Sequence, residues 1–329
     1  MSEYLIEYGL FVVKVVTLVA VFGLVPWLLL RDRRAGQPEG ARLEVLDLSD
    51  KYRRMAHMLQ HAARPRRRRW SWHKLGRTDG ETMPVDPARP RLFVIDFHGD
   101  LKATGVGSLR EVVTAILFEA TPRDEVLVRL ENAGGVVSDH GLAAAQLKRI
   151  RERDIPLTVA IDKVAASGGY LMACVGDRLL AAPFAVIGSI GVVAGLPNFR
   201  RLLDRHGVDF ELQTAGEYKR TLTLFGENTD AAREKVKTQL EETHRLFKGF
   251  IAEHRPTVAI ERVATGEYWL GSRALELGLV DRIQTSDDYL MEAHQRARLL
   301  HVKYTQKQKP MERLIASMEG HLLRLFGRP

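Results

Sequence analysis

RLFVIDF (91–97), SLREVVTAILFEA (108–120), EVLVRLE (125–131), SDHGLAAAQLKRIRER (138–153) and PLTVAID (156–162) follow one another along the chain. The first, third and fifth are short runs rich in Val, Leu, Ile and Phe, the composition of strands. The second and fourth carry apolar residues at helical spacing. Strand, helix, strand in that order, with turns of a few residues, predicts parallel pairing and an α/β layer. In such sheets chemistry sits beyond the C-terminal ends of the strands. The loops after residues 131 and 162 are therefore the first places to search.

Both are small-residue turns that open a helix. The first reads Asn132-Ala133-Gly134-Gly135, and the second holds Ala165-Ala166-Ser167-Gly168-Gly169-Tyr170. Turns of this kind present backbone N–H groups at a helix start, where an oxyanion can be held. Ser167 is placed to be a nucleophile, although a serine there is commonly only an N-cap. A third turn, Gly188-Ser189-Ile190-Gly191, is of the same kind. Gly216-Glu217-Tyr218-Lys219-Arg220 follows VDFELQT (208–214), which reads as a strand. The G-x-S-x-G elbow is not met at Ser167. His98 and His140 have no evident partner, and no paired-His spacing suggests a metal.

Outward from this core the chain changes character. Residues 9–30 read GLFVVKVVTLVAVFGLVPWLLL, with Lys14 as the one charge. At 1.5 Å per residue that run spans about 33 Å, enough to cross a bilayer core. A cleaved signal peptide and a buried core helix are the other readings. Glu3 and Glu7 ahead of the run, no good cleavage site after it, and its uniform apolarity favour an uncleaved anchor. Arg31, Arg33, Arg34 and Arg42 follow it, so the positive-inside rule predicts a cytoplasmic C-terminal bulk.

The net charge of +8 is concentrated in residues 31–90, which carry +7, against +2 for 91–329. That weakens any reading of the folded domain as a nucleic-acid binder. Residues 41–62 are helix-permissive, and 76–90 are polar and rich in Pro and Gly, as a linker is. Between them Arg64 and Arg66 to Arg69 predict contact with anionic lipid. Nucleic acid stacked on Trp70 and Trp72 is the weaker alternative. The single cysteine, Cys174, excludes an internal disulfide and a multi-cysteine zinc site, and reads as packing.

The four motifs together are the specific signal: Asn-Ala-Gly-Gly (132–135), DKVAASGGYLMA (162–173), IGSIGVV (187–193) and GEYKRTLT (216–223). In this order they resemble the signal peptide peptidase A family of serine peptidases, known as family S49, and the overall layout resembles its SohB branch. The resemblance covers 91–305 and the arrangement of the N-terminus.

It implies a Clp-protease/crotonase-like fold of stacked ββα units behind one N-terminal transmembrane helix. It also implies a Ser–Lys dyad, with Ser167 as nucleophile and Lys219 as general base. The oxyanion would be held by Gly134, Gly135 and the Ser167 N–H, with Ser189 and Tyr218 orienting the base. No cofactor or metal is implied. The partners implied are polypeptide substrates, membrane lipid, and further copies of the chain in a ring where Ser167 and Lys219 come from adjacent subunits. The location implied is the bacterial inner membrane, with its periplasmic face left open beside the cytoplasmic one.

The organisation expected is a tail (1–8), a membrane helix (9–30), a basic helical and linker region (31–90), a catalytic peptidase domain (91–305) and an amphipathic C-terminal helix (306–329). That last helix is read as docked on protein, with the membrane surface as the alternative. One departure stands out: the family loop commonly reads Ser-Pro-Gly-Gly, and losing the proline is expected to loosen it. A non-catalytic scaffold of the same fold, or an acyl-thioester enzyme of the wider superfamily, are the rival functions.

Overall fold

The computed structural model describes residues 42–63 and 89–305. The expected anchor (9–30), the arginine run and the C-terminal helix (306–329) lie outside the described residues. No helix among those described is long and apolar enough to cross a membrane.

In chain order the elements are β1 (Arg42–Asp47), α1 (Leu48–Ala63), β2 (Arg91–Gly99), α2 (Val106–Glu119), β3 (Glu125–Asn132), α3 (Val137–Arg151), β4 (Leu157–Ile161), β5 (Val164–Ala166) and α4 (Gly168–Ala173). Then come β6 (Arg178–Ala181), β7 (Val186–Gly188), α5 (Arg200–Arg205), α6 (Asp230–His254), α7 (Ile260–Val263), β8 (Tyr268–Leu270), α8 (Gly271–Glu276), β9 (Arg282–Ile283), α9 (Ser286–Arg296) and β10 (Arg298–Thr305).

The main sheet runs β1-β10-β2-β3-β4-β6-β9, and β10 through β9 pair in parallel. Parallel strands are covered on both faces, which is why RLFVIDF reads as an unbroken apolar run rather than an alternation. Phe93, Ile95 and Phe97 face one core with Val112, Ile116, Leu147 and Ile150. Leu92 and Val94 face the other, with Leu290 and Ala293 of α9 and Leu48 of α1.

A shorter arm branches from this sheet. β5 pairs with the end of β3 through Asn132↔Ala165, β7 pairs with β5, and β8 closes the arm antiparallel to β7. The succession β4, β5, α4 is thus a strand–strand–helix unit in which the chain leaves the main sheet before the helix. The result is a mixed α/β fold.

Two sequence expectations need correction. The region 31–90 was expected to be helix and linker, yet its residues 42–47 form a strand beside β10, and the compact unit spans Leu43–Tyr304. RLEVLD has apolar residues at both spacings, and a distant partner strand decides between them. Asp47 accepts a hydrogen bond from Arg298 at the start of β10. VDFELQT (208–214) forms no strand. Its alternation is real, but it finds no partner strand, and Val208, Phe210 and Leu212 stay exposed.

Candidate active site

The turn between β5 and α4 carries Ser167 at φ 50, ψ −120. A non-glycine residue held at positive φ costs about 1–3 kcal/mol, which the surrounding structure must supply. The supply is visible: the Ser167 N–H donates to the Gly188 carbonyl at 2.8 Å, extending the β5–β7 pairing by one residue. Ser167 occupies the N-cap position of α4, but its side chain makes no cap bond. The hydroxyl is left without a partner among the described residues.

The Asn132–Gly135 loop lies directly against this turn. Gly134 has φ +91, and a Cβ there would come within 2.8 Å of Ser167 Cβ, of the Gly168 nitrogen and of the Ala166 carbonyl. Only glycine fits. The Gly134 N–H donates to Asn132 Oδ1 at 2.8 Å. The two expected oxyanion donors Gly134 and Ser167 are therefore both engaged. The N–H groups of Gly135 and Gly168 have no partner among the described residues, and both residues line the cavity that Ser167 enters. The free donor beside Ser167 belongs to the next residue, Gly168.

That cavity holds about 220 Å³. Val137, Ala144, Leu171, Phe247 and Phe250 give it apolar walls drawn from α3, α4 and α6, and Val192 adds to them from the segment after β7. Ser189 follows β7 at φ 51, one residue past the carbonyl that holds Ser167, so the structure brings it to the site.

Tyr218 and Lys219 are not brought there. Both are exposed, and neither lines the cavity. Tyr218 lies under the Lys235 ammonium, 4.6 Å from its ring centre, and hydrogen bonding to Glu217 raises its phenol pKa. Lys219 is held only by its backbone, whose N–H donates to the Gly216 carbonyl.

Two residues that the sequence left without a role belong to the site. Asn132 is 1% exposed and His140 fully buried. His140 Nε2 lies 3.2 Å from Asn132 Oδ1, and its Nδ1 lies 2.9 Å from the Val136 carbonyl. The asparagine ahead of Ala-Gly-Gly was the available signal. Cys174 is fully buried, its thiol donates to the Leu171 carbonyl, and burial pushes its pKa up, so it is inert packing.

This geometry can be set beside known proteins. The model of peptidase family S49 matches residues 149–300, and that of its N-terminal region matches residues 3–147. The chain belongs to peptidase family S49. A probable protease SohB of Haemophilus influenzae is 40% identical over 342 residues, covering 100% of this chain and 97% of that one. A probable protease SohB of Buchnera aphidicola from Acyrthosiphon pisum is 53% identical over 234 residues, 71% of this chain and 70% of that one. The chain is thus a peptidase-family protein of SohB type. Among solved structures, a 1510-N membrane-bound stomatin-specific protease, a lysine-to-alanine mutant in complex with a substrate peptide, is 12% identical. It covers 70% of this chain and 98% of that one, at TM-score 0.44.

Proposed function

We propose that this peptidase is a membrane-anchored serine endopeptidase working through a Ser–Lys dyad, with Ser167 as nucleophile and Lys219 of a neighbouring subunit as general base. The observation that carries the reading is the unpartnered Ser167 hydroxyl on a strained turn, facing an apolar cavity with two unoccupied N–H groups.

A peptide carbonyl enters so that its oxygen meets the Gly135 and Gly168 N–H groups. As Ser167 Oγ attacks, its proton passes to neutral Lys219. The tetrahedral oxyanion gains about 3–4 kcal/mol from each well-placed donor. Lys219 then protonates the leaving amine, and water hydrolyses the acyl-enzyme. A lysine's ordinary pKa is about 10.4, so a base at neutral pH must be desolvated. Lys219 is solvent-exposed in the single chain, and an intersubunit contact supplies the burial it needs. The segment that bears it exposes Val193, Phe199, Leu202, Val208, Phe210 and Leu212, apolar surface suited to cover by a second copy in a ring. Suitable substrates are signal-peptide remnants and misfolded or membrane polypeptides, reached from the inner membrane through the apolar run 9–30.

A fluorophosphonate probe on isolated membranes tests this reading. Labelling of the wild type that disappears in Ser167→Ala and stays with the membranes after an alkaline wash is expected. An intact oligomer that does not label would leave the non-catalytic scaffold as the function.

The cavity walls imply a preference for an apolar residue before the scissile bond. Gly141 lies on α3 at the cavity edge, with nothing within 4 Å of an added Cβ. Gly141→Leu is expected to fill the cavity and lower kcat/KM about tenfold or more for leucine there, while sparing alanine. Stability should hold or rise by up to about 1 kcal/mol, because leucine is the better helix former. An unchanged leucine-to-alanine ratio would remove the cavity from specificity.

A further inference from the structure

We infer that Asn132 and His140 are positioning residues that fix the loop of Gly134 and Gly135 through side-chain hydrogen bonds. The inference rests on the peptidase reading and concerns how the same site is held.

A proline at position 133 would stiffen the loop with a pyrrolidine ring, which locks one backbone torsion. In this chain the loop reads Asn132-Ala133-Gly134-Gly135 and contains no such lock. A hydrogen-bonded clamp stands in its place. Asn132 ends β3, and its Oδ1 takes the Gly134 N–H, bridging the residue where proline would stand. Because Oδ1 accepts that N–H, the amide cannot be turned over without breaking it, and the other side-chain partners follow. Nδ2 faces the Met172 sulfur at 3.2 Å, and Oδ1 faces His140 Nε2 at 3.2 Å, while Nδ1 of the same ring faces the Val136 carbonyl at 2.9 Å, so each ring nitrogen is set against an acceptor.

His140 then reaches the second half of the site. A Cβ on Gly168 would stand 2.6 Å from the His140 ring, so the ring backs directly onto the peptide that follows Ser167. One buried pair therefore touches both segments that carry free N–H groups. Asn132 sets the tilt of the peptide leading to Gly135, and His140 supports Gly168. A half-satisfied buried polar pair is costly, so removing one member disturbs the other. The sequence expectation of a loosened loop is replaced by one of a differently fastened loop.

The test uses the full-length oligomer with a peptide substrate, plus hydrogen exchange of the segment containing 133–136. Asn132→Ala is expected to lower kcat about 10–100-fold with KM within about twofold, and to speed exchange in that segment alone. Asn132→Asp keeps an acceptor for both N–H groups and should recover most of kcat. The double variant Asn132→Ser, Ala133→Pro locks the loop with a ring instead and should recover kcat. Wild-type kcat in Asn132→Ala would overturn the inference, as would equal losses in Asn132→Ala and Asn132→Asp. If the wild type neither labels nor hydrolyses, the peptidase reading fails. Exchange then still decides the clamp: an unchanged rate over 133–136 in Asn132→Ala overturns it.

Discussion

Co-expressed Ser167→Ala and Lys219→Met subunits should recover hydrolysis that neither variant shows alone. Each single change removes a reacting group, so each alone should fall by about 10⁴-fold or more, as losses of nucleophile or base do in serine peptidases. Within one chain Lys219 is exposed and lies off the cavity that Ser167 enters, and the proposed dyad therefore takes its base from another copy. In a mixed head-to-tail ring, about a quarter of interfaces unite an intact serine with an intact lysine, which sets the expected recovery. The readout is peptide turnover of the co-purified mixed oligomer. A mixed oligomer as inactive as its parents would place both groups in one chain and end the cross-subunit assignment.

Asp281→Ala is expected to destabilise the fold by about 2 kcal/mol, below the full range for stranding one partner of a buried ion pair because the Asp281 side chain is 38% exposed. Arg255 caps the C-terminal end of α6, with its side chain 8% exposed. Its guanidinium donates to Asp281 at 2.9 and 2.6 Å and to the Gly278 carbonyl at 3.2 Å. Asp281 also accepts the Leu179 N–H at 2.7 Å, which ties the end of α6 to β6. Without the carboxylate, a buried cation and a strand N–H lose their partner together. For a unit of this size the loss corresponds to roughly 4–8 °C in Tm. Burial pushes the Asp281 pKa up, but the Arg255 and Leu179 hydrogen bonds outweigh it, and the net shift is downward. A lowered folded pKa gives stability that is present above about pH 4, the unfolded carboxylate value, and lost as pH falls through the folded one. The gap between wild type and variant should therefore be flat at neutral pH and narrow in acid. A loss under about 1 kcal/mol at pH 7 would show the pair to be ornamental. Because α6 also provides Phe247 and Phe250 to the cavity, the variant should lose activity at temperatures where the wild type keeps it.

What was legible in the sequence was local. The apolar runs from 91 to 162 name their strands and helices because both sheet faces are buried. The small residues around Ser167 name the turn, since few others fit beside Gly134. β1 was not legible: RLEVLD suits a helix or a strand until β10, some 250 residues later, supplies a partner. VDFELQT failed the opposite way, with strand alternation and no strand to meet. Of the expected donors Gly135 keeps an N–H free among the described residues, whereas those of Gly134 and Ser167 are engaged, because pairing of Ser167 with Gly188 and of Gly134 with Asn132 depends on which segments lie side by side. His140 looked idle because its partner sits across a turn rather than at helical spacing. Lys219 was placed by resemblance alone, and nothing in its immediate surroundings marks it as a base.

The early strand β1 also changes what the arginine-rich stretch is. Residues 64–88 leave the folded unit at Ala63 and rejoin it at Arg89, so they are fastened to one body at both ends. A tether between anchor and enzyme can pay out its whole contour, whereas a closed loop of 25 residues reaches at most half of it, about 40 Å. On the proposed anchored reading, the distance between enzyme and bilayer is set by the residues ahead of Leu43. On that reading the proposed contact of the arginines with anionic lipid works at short range, once the enzyme is already close to the surface.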